Sequence, residues 1–218
     1  MATKQQVPVL AARLVEFQEE FLSLPTKDAQ WAIMNGKEAA SLLSKAIANR
    51  VKSVAEKVKD VPITRLISGG EKLMIEAIDS EAYISDAKKT FKSYIDGDFK
   101  NWGLNQSGPA TAETLLDVSE MTSDGTFAQI FTGITSDLDK LVMTQAQIIR
   151  FCEKYPTWLH QKGYATFFLT KVDGEYFVAY VVVSSGGLSV HVNHLESDYV
   201  WLGEYRHRVV SPRLMPAE

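Results

Sequence analysis

Tyr164-Ala-Thr-Phe-Phe-Leu-Thr-Lys-Val172, then Asp173-Gly174, then Glu175-Tyr-Phe-Val-Ala-Tyr-Val-Val-Val183, reads as a β-hairpin. Two apolar runs flank an Asp-Gly dipeptide. A two-residue type I′ turn needs positive φ at both positions, which Asp and Gly tolerate. With the turn there, Val172 falls opposite Glu175, Phe168 opposite Ala179, and Thr166 opposite Val181. Side chains alternate along a strand, so one face carries Phe168, Phe177, Ala179, Val181 and Val183. The other carries Ala165, Phe167, Leu169, Val178, Tyr180 and Val182. Both faces are apolar, the pattern of strands covered on both sides. The chain's own helices can form one layer; the other calls for a second sheet, the N-terminal segment or a second subunit.

Downstream, Ser184-Ser-Gly-Gly187 offers another turn. Leu188 to His194 follows as a one-sided strand, with Leu188, Val190 and Val192 opposed to Ser189, His191 and Asn193. Tyr199 to Val210 reads as a fourth strand. It sets Tyr199, Trp201, Tyr205, His207 and Val209 on one face, against Val200, Leu202, Glu204, Arg206 and Arg208. Four strands in sequence order predict an antiparallel meander.

Upstream, Thr144-Gln-Ala-Gln147 is a capping-box pattern. The helix it opens places Ile148, Cys152 and Tyr155 on one face and stops at Pro156. Cys152 reads as a small core residue and, as the only cysteine, excludes an internal disulfide. Leu73, Ile75 and Ala77 alternate with polar neighbours and turn at Asp79-Ser80 into Ala82-Tyr83-Ile84, a second hairpin. Ala87 to Ile95 suggests a short helix broken at Asp96-Gly97-Asp98, and Gly103 to Thr114 a loop. Glu113, Asp117, Glu120, Asp124, Asp137 and Asp139 occur without an intervening lysine or arginine, which reads as a solvated acidic face.

Residues 1–60 differ in pattern. Leu10, Leu14, Phe17, Phe21 and Leu24 form a helical stripe ended by Pro25, and Asp28 to Met34 reads as a short helix. Lys37 to Lys59 reads as a longer helix edged by Leu43, Ile47, Val51, Val54 and Val58, and Pro62 ends it. The expected fold class is α+β. A helical N-terminal module, 1–60, precedes a 61–218 domain with a β-hairpin, short helices and a C-terminal four-stranded antiparallel meander.

Of 218 residues, 45% are hydrophobic and 23% charged, ordinary proportions for a soluble globular chain. A formal charge of -4 argues against a general polyanion binder. Met1 leads directly into an amphipathic pattern, which reads as no signal peptide and a cytoplasmic protein. No catalytic, cofactor-binding or metal-binding residue can be nominated. His191 and His194, three apart in a strand, point to opposite faces. The arginines at 206 and 208 alternate away from the aromatics, which weakens a base-stacking reading. No serine elbow, zinc-protease helix or Walker loop is present.

The runs Gly70 to Ala77, Thr90 to Gly103, Gly163 to Leu169 and Glu204 to Val210 together resemble a family of uncharacterised bacterial proteins, over about Ile63 to Leu214. The resemblance implies a boundary near residue 61 and a bacterial source, and brings no activity, ligand or catalytic residue with it. The expectation is a non-catalytic binding or assembly protein. Its partner would be itself, as a homo-oligomer, or another protein, with no cofactor and neither membrane nor nucleic acid. A small hydrolase or metal-dependent enzyme is the alternative, and a nucleic-acid-associated factor the third reading.

Overall fold

The computed structural model describes Met34, Asn35, residues 37–39, 41–42, 44–45, 62–79 and 81–214. The chain divides into two units, Met1–Asp60 and Val61–Glu218. Of the first, Met34 and residues 37–39, 41–42 and 44–45 are helical. The stripes from Leu10 to Leu24 and from Leu43 to Val58 lie outside the described residues.

The second unit is built on one mixed, eight-stranded sheet. Its strands are β1 (Thr64–Leu66), β2 (Leu73–Ile75), β3 (Tyr94–Ile95), β4 (Thr114–Met121), β5 (Ala165–Val172), β6 (Glu175–Ser184), β7 (Gly187–His194) and β8 (Arg208–Pro212). Their spatial order is β1-β4-β8-β5-β6-β7-β3, with β2 also paired to β4. The pairs β5–β8 and β3–β7 are parallel and the others antiparallel. Three short α-helices accompany the sheet: α1 (Asp98–Asn101), α2 (Phe127–Thr132) and α3 (Gln145–Lys154). None of the described helices is long and apolar enough to cross a membrane.

This architecture corrects the expected fold class. A helical module followed by a hairpin and a four-stranded antiparallel meander is replaced by a single mixed sheet. Only β5, β6 and β7 form a meander. β8 leaves β7 altogether and inserts between β4, to which it is antiparallel, and β5, to which it is parallel. The cause lies in residues 195–207, where Trp201 makes only an isolated bridge to Gly125 and residues 203–205 form a 3-10 turn. Arg206 is left-handed, with φ 50°, which breaks any extended run. The upstream hairpin is corrected too: β2 pairs with β4, Leu73 opposite Leu116, while residues 84–86 form a 3-10 turn. The helix expected up to Ile95 gives way to β3 beside β7.

The β5–β6 hairpin has the register expected of its turn, with Val172 opposite Glu175, Phe168 opposite Ala179 and Thr166 opposite Val181. Asp173 and Gly174 have φ of 51° and 87°. Two cores flank the sheet. The first holds Phe168, Phe177, Ala179 and Val181, together with Phe99 of α1 and Ile148, Phe151 and Cys152 of α3. The second holds Ala165, Phe167, Leu169 and Val178, with Phe127, Ile130 and Phe131 of α2. The second face is therefore covered by α2, a helix of the same unit. Burying each such phenylalanine is worth about 1.5–3 kcal/mol, so this layer alone gives α2 reason to dock.

Both helices begin on a reciprocal cap. Thr126 Oγ1 accepts from Gln129 N–H, and Gln129 Oε1 accepts from Thr126 N–H at 2.9 Å. Thr144 and Gln147 repeat the arrangement at the start of α3. Gln145 then ties the 84–86 turn and the loop at Leu104 to α3, accepting from Ile84 N–H at 2.9 Å and donating to Leu104 O at 2.6 Å.

Candidate functional site

The segment between β7 and β8 crosses the second face of the sheet and is pinned there. Trp201 and Gly125 exchange both backbone hydrogen bonds, at 2.9 and 3.1 Å, and Gly203 N–H donates to Asp124 Oδ1 at 2.8 Å. The Trp201 ring packs against Phe167 at 4.8 Å, Phe127 at 5.2 Å and Tyr180 at 5.4 Å. Its buried indole N–H has no hydrogen-bond partner among the described residues.

His207 sits at the end of this segment, 4% exposed. Its backbone carbonyl accepts from Met121 N–H of β4 at 2.8 Å, and its Nδ1 accepts from Ala165 N–H of β5 at 3.1 Å. One residue thus joins β4 to β5 just where β8 enters between them. Burial, then the nearby His160, push the His207 pKa down to about 4. The ring is neutral near pH 7, and an accepting Nδ1 leaves its proton on Nε2.

His160 is built the same way. Its backbone N–H donates to Thr166 Oγ1 at 2.9 Å, and its Nδ1 accepts from Lys162 N–H at 3.2 Å. Burial lowers its pKa, with smaller contributions from the Arg208 and Lys162 cations. Tyr164 stands between the two imidazoles, edge-on to His160 at 5.2 Å and to His207 at 5.9 Å. On its outer side it stacks on Tyr205, with centroids 4.6 Å apart and planes 11° off parallel. Tyr164, Tyr199, Val200, Leu202 and Tyr205 are all exposed, between 36% and 62%. Tyr164 and Tyr205 thus form an exposed stacked pair over two neutral histidines, with Tyr199, Val200 and Leu202 exposed along the same connection.

The neighbouring cations are occupied. Arg208 Nη1 donates to the carbonyls of Thr157 and Leu159 at 3.2 and 3.1 Å. Arg206 lies 3.8 Å from Glu120, which also pairs with Arg65. His191 and His194 do face opposite ways. His191 stacks on Tyr180 at 5.0 Å and lies 3.7 Å from Asp96, while His194 packs on Trp102 at 4.5 Å. Among the described residues no group of three or more His, Cys, Asp or Glu side chains is placed to hold a metal ion. Cys152 is buried, and burial pushes its thiol pKa up, away from the reactive thiolate.

A separate cleft of about 400 Å³ opens between residues 106–109, the start of α3 and the β5–β6 turn. Its two charged linings are both engaged, Lys171 with Asp139 at 2.7 Å and Asp173 with Gln106 at 3.1 Å.

No family model, curated protein or solved structure matches the chain.

Sequence reasoning placed Trp201, Tyr205 and His207 on one side of a strand. They do converge, through a pinned loop instead. His160 was missed, because a lone histidine between two elements has no periodic signal. Tyr164 was read only as the start of a strand.

Proposed function

We propose that this is a non-catalytic binding or assembly protein that works through the exposed face of Tyr164, Tyr199, Val200, Leu202 and Tyr205, with a second copy of the chain as partner. The observation that carries the reading is the concentration of five exposed large apolar side chains on one pinned connection and its neighbour. Clustered apolar exposure of this kind marks interaction surfaces, and tyrosine is enriched at them. The bridge to Gly125 and the Asp124 hydrogen bond hold the rings in place before any partner arrives. Less side-chain and loop freedom is then lost on binding.

Charge favours a second copy. Glu204 and Arg206 straddle Tyr205 and are both exposed, so the face carries both signs within three residues. A two-fold interface can exchange their exposed contacts within the chain, Arg206 with Glu120 at 3.8 Å and Glu204 with Tyr205, for complements on the partner. A cytoplasmic setting belongs to the same proposal and agrees with a lone, buried thiol at Cys152.

Sedimentation velocity across a concentration series tests the reading. The expected species has twice the 24.3 kDa chain mass, and Tyr205→Glu returns it to monomer with an unchanged far-UV spectrum. A wild-type chain that stays monomeric at the highest attainable concentration would exclude the second copy.

A further inference from the structure

We infer that His207 is an acid-operated latch beneath this face: protonation turns its Nδ1 from acceptor to donor, breaks the Ala165 N–H bond and frees the Tyr164–Tyr205 pair. The inference rests on the reading above only in naming what is released; the latch itself is a property of the isolated chain.

The hydrogen bond that places the imidazole needs Nδ1 unprotonated. Its Nδ1 faces a backbone N–H at 3.1 Å, so an added proton there sets donor against donor. The ring is walled by Phe167, stacked at 5.2 Å, and by Trp201, edge-on at 4.9 Å. The titratable and charged groups around it come from three sides. Tyr164, His160 and Lys162 lie on the approach to β5, Tyr205, Glu204 and Arg208 on its own segment, and Glu120 on β4. The two carboxylates are already committed: Glu120 to Arg65 and Arg206, and Glu204 to its hydrogen bond with Tyr205. Neither is a salt-bridge partner of His207. His160 repeats the device, since its Nδ1 also accepts a backbone N–H, that of Lys162. Both ends of the Tyr164 segment are therefore held by imidazoles that must stay neutral to hold it.

The two exposed tyrosines rest on this arrangement. Tyr164 follows directly from the segment that His160 shapes, and its neighbour Ala165 is the residue His207 grips. Tyr205 is two residues before His207 and edge-on to it at 6.0 Å. Release of the Ala165 bond removes the side-chain tie between the two rings' segments, while the Trp201–Gly125 bridge, the Gly203–Asp124 bond and the Met121–His207 backbone bond still anchor the connection to the sheet.

NMR on the intact chain, dilute and in the Val200→Ser background, which keeps both tyrosines and adds no charge, separates the latch from any self-association. The Ala165 amide is expected to lose at least tenfold of its exchange protection, corrected for intrinsic rates, as His207 protonates. In His207→Asn the side-chain oxygen stands in for Nδ1 and cannot be protonated, so protection should persist over the same range. Nitrogen-15 shifts of the imidazole in the chain with His207 intact supply the check that does not depend on that variant folding. If Nδ1 of His207 protonates while Ala165 stays protected, the latch is refuted. The same holds if His207→Asn loses protection in parallel with the parent. A working latch on a chain that never dimerises would leave this inference standing and remove only the partner.

Discussion

A methyl group built on Gly203 would lie 2.5 Å from both Cα and C of Ser123. Backbone cannot yield as a flexible side chain can, so Gly203→Ala should cost about 1–3 kcal/mol in urea unfolding. Gly174 differs in kind. A Cβ there meets nothing within 4 Å among the described residues, but its φ is +87°, so Gly174→Val should cost about 1–3 kcal/mol through backbone strain alone. At His207 the folded pKa lies below that of the unfolded chain, near 6.5. The unfolded state takes the proton first. Stability contributed by the neutral ring is therefore complete above about pH 6.5 and declines as pH falls toward 4, by about 2–3 kcal/mol. Thermal unfolding at pH 7 and pH 4.5 should show the decline, and His207→Asn should flatten it. Cys152, buried among Ile148, Phe151 and the β-sheet core, should label slowly in the native chain and rapidly in denaturant.

Helix caps give the test at the scale of elements. Thr144→Ala and Thr126→Ala each remove one half of a reciprocal cap and should cost about 1 kcal/mol, read from denaturation midpoints at constant slope. The two boxes also show what a sequence discloses. Thr144 and the β5–β6 turn were legible because their determinants sit within four residues of one another. Thr126-Phe-Ala-Gln129 carries the same signature and went unread inside an acidic run. β4 was hidden by the same run: Asp117 and Glu120 looked like a solvated face. They are partnered by Arg213, at 2.8 Å from Asp117, and by Arg65, residues distant in the chain. β1 and β3 span three and two residues, too few to show any alternation, while at β2 the alternation of Leu73 and Ile75 was legible but its partner β4 was not. Their strand character comes from the neighbour each one meets, Leu73 opposite Leu116 for instance.

At the scale of the whole molecule, both faces of the hairpin are covered from within the second unit, by α3 and α2. No subunit is needed as a missing layer over the hairpin, and the exposed face beside Tyr205 is where the proposed self-association would form. A chain beginning at Val61 should unfold in one cooperative step, since both cores draw on residues from Ile63 onward among those described; loss of that cooperativity on truncation would show that residues before 61 supply core. Hydrogen exchange should be slowest in β5 and β6 and fastest in the marginal strands β1 and β3. The interior position of β8 also bears on biosynthesis. Translation delivers β4 first and β5 to β7 later, and the strand that joins them last of all. Until then the nascent chain holds two separate pieces of sheet, each with an open edge able to pair with a stranger. A ribosome that stalls between Ser197 and His207 would release a polypeptide with nearly all of its apolar mass and no means of closing it, a natural client for chaperones.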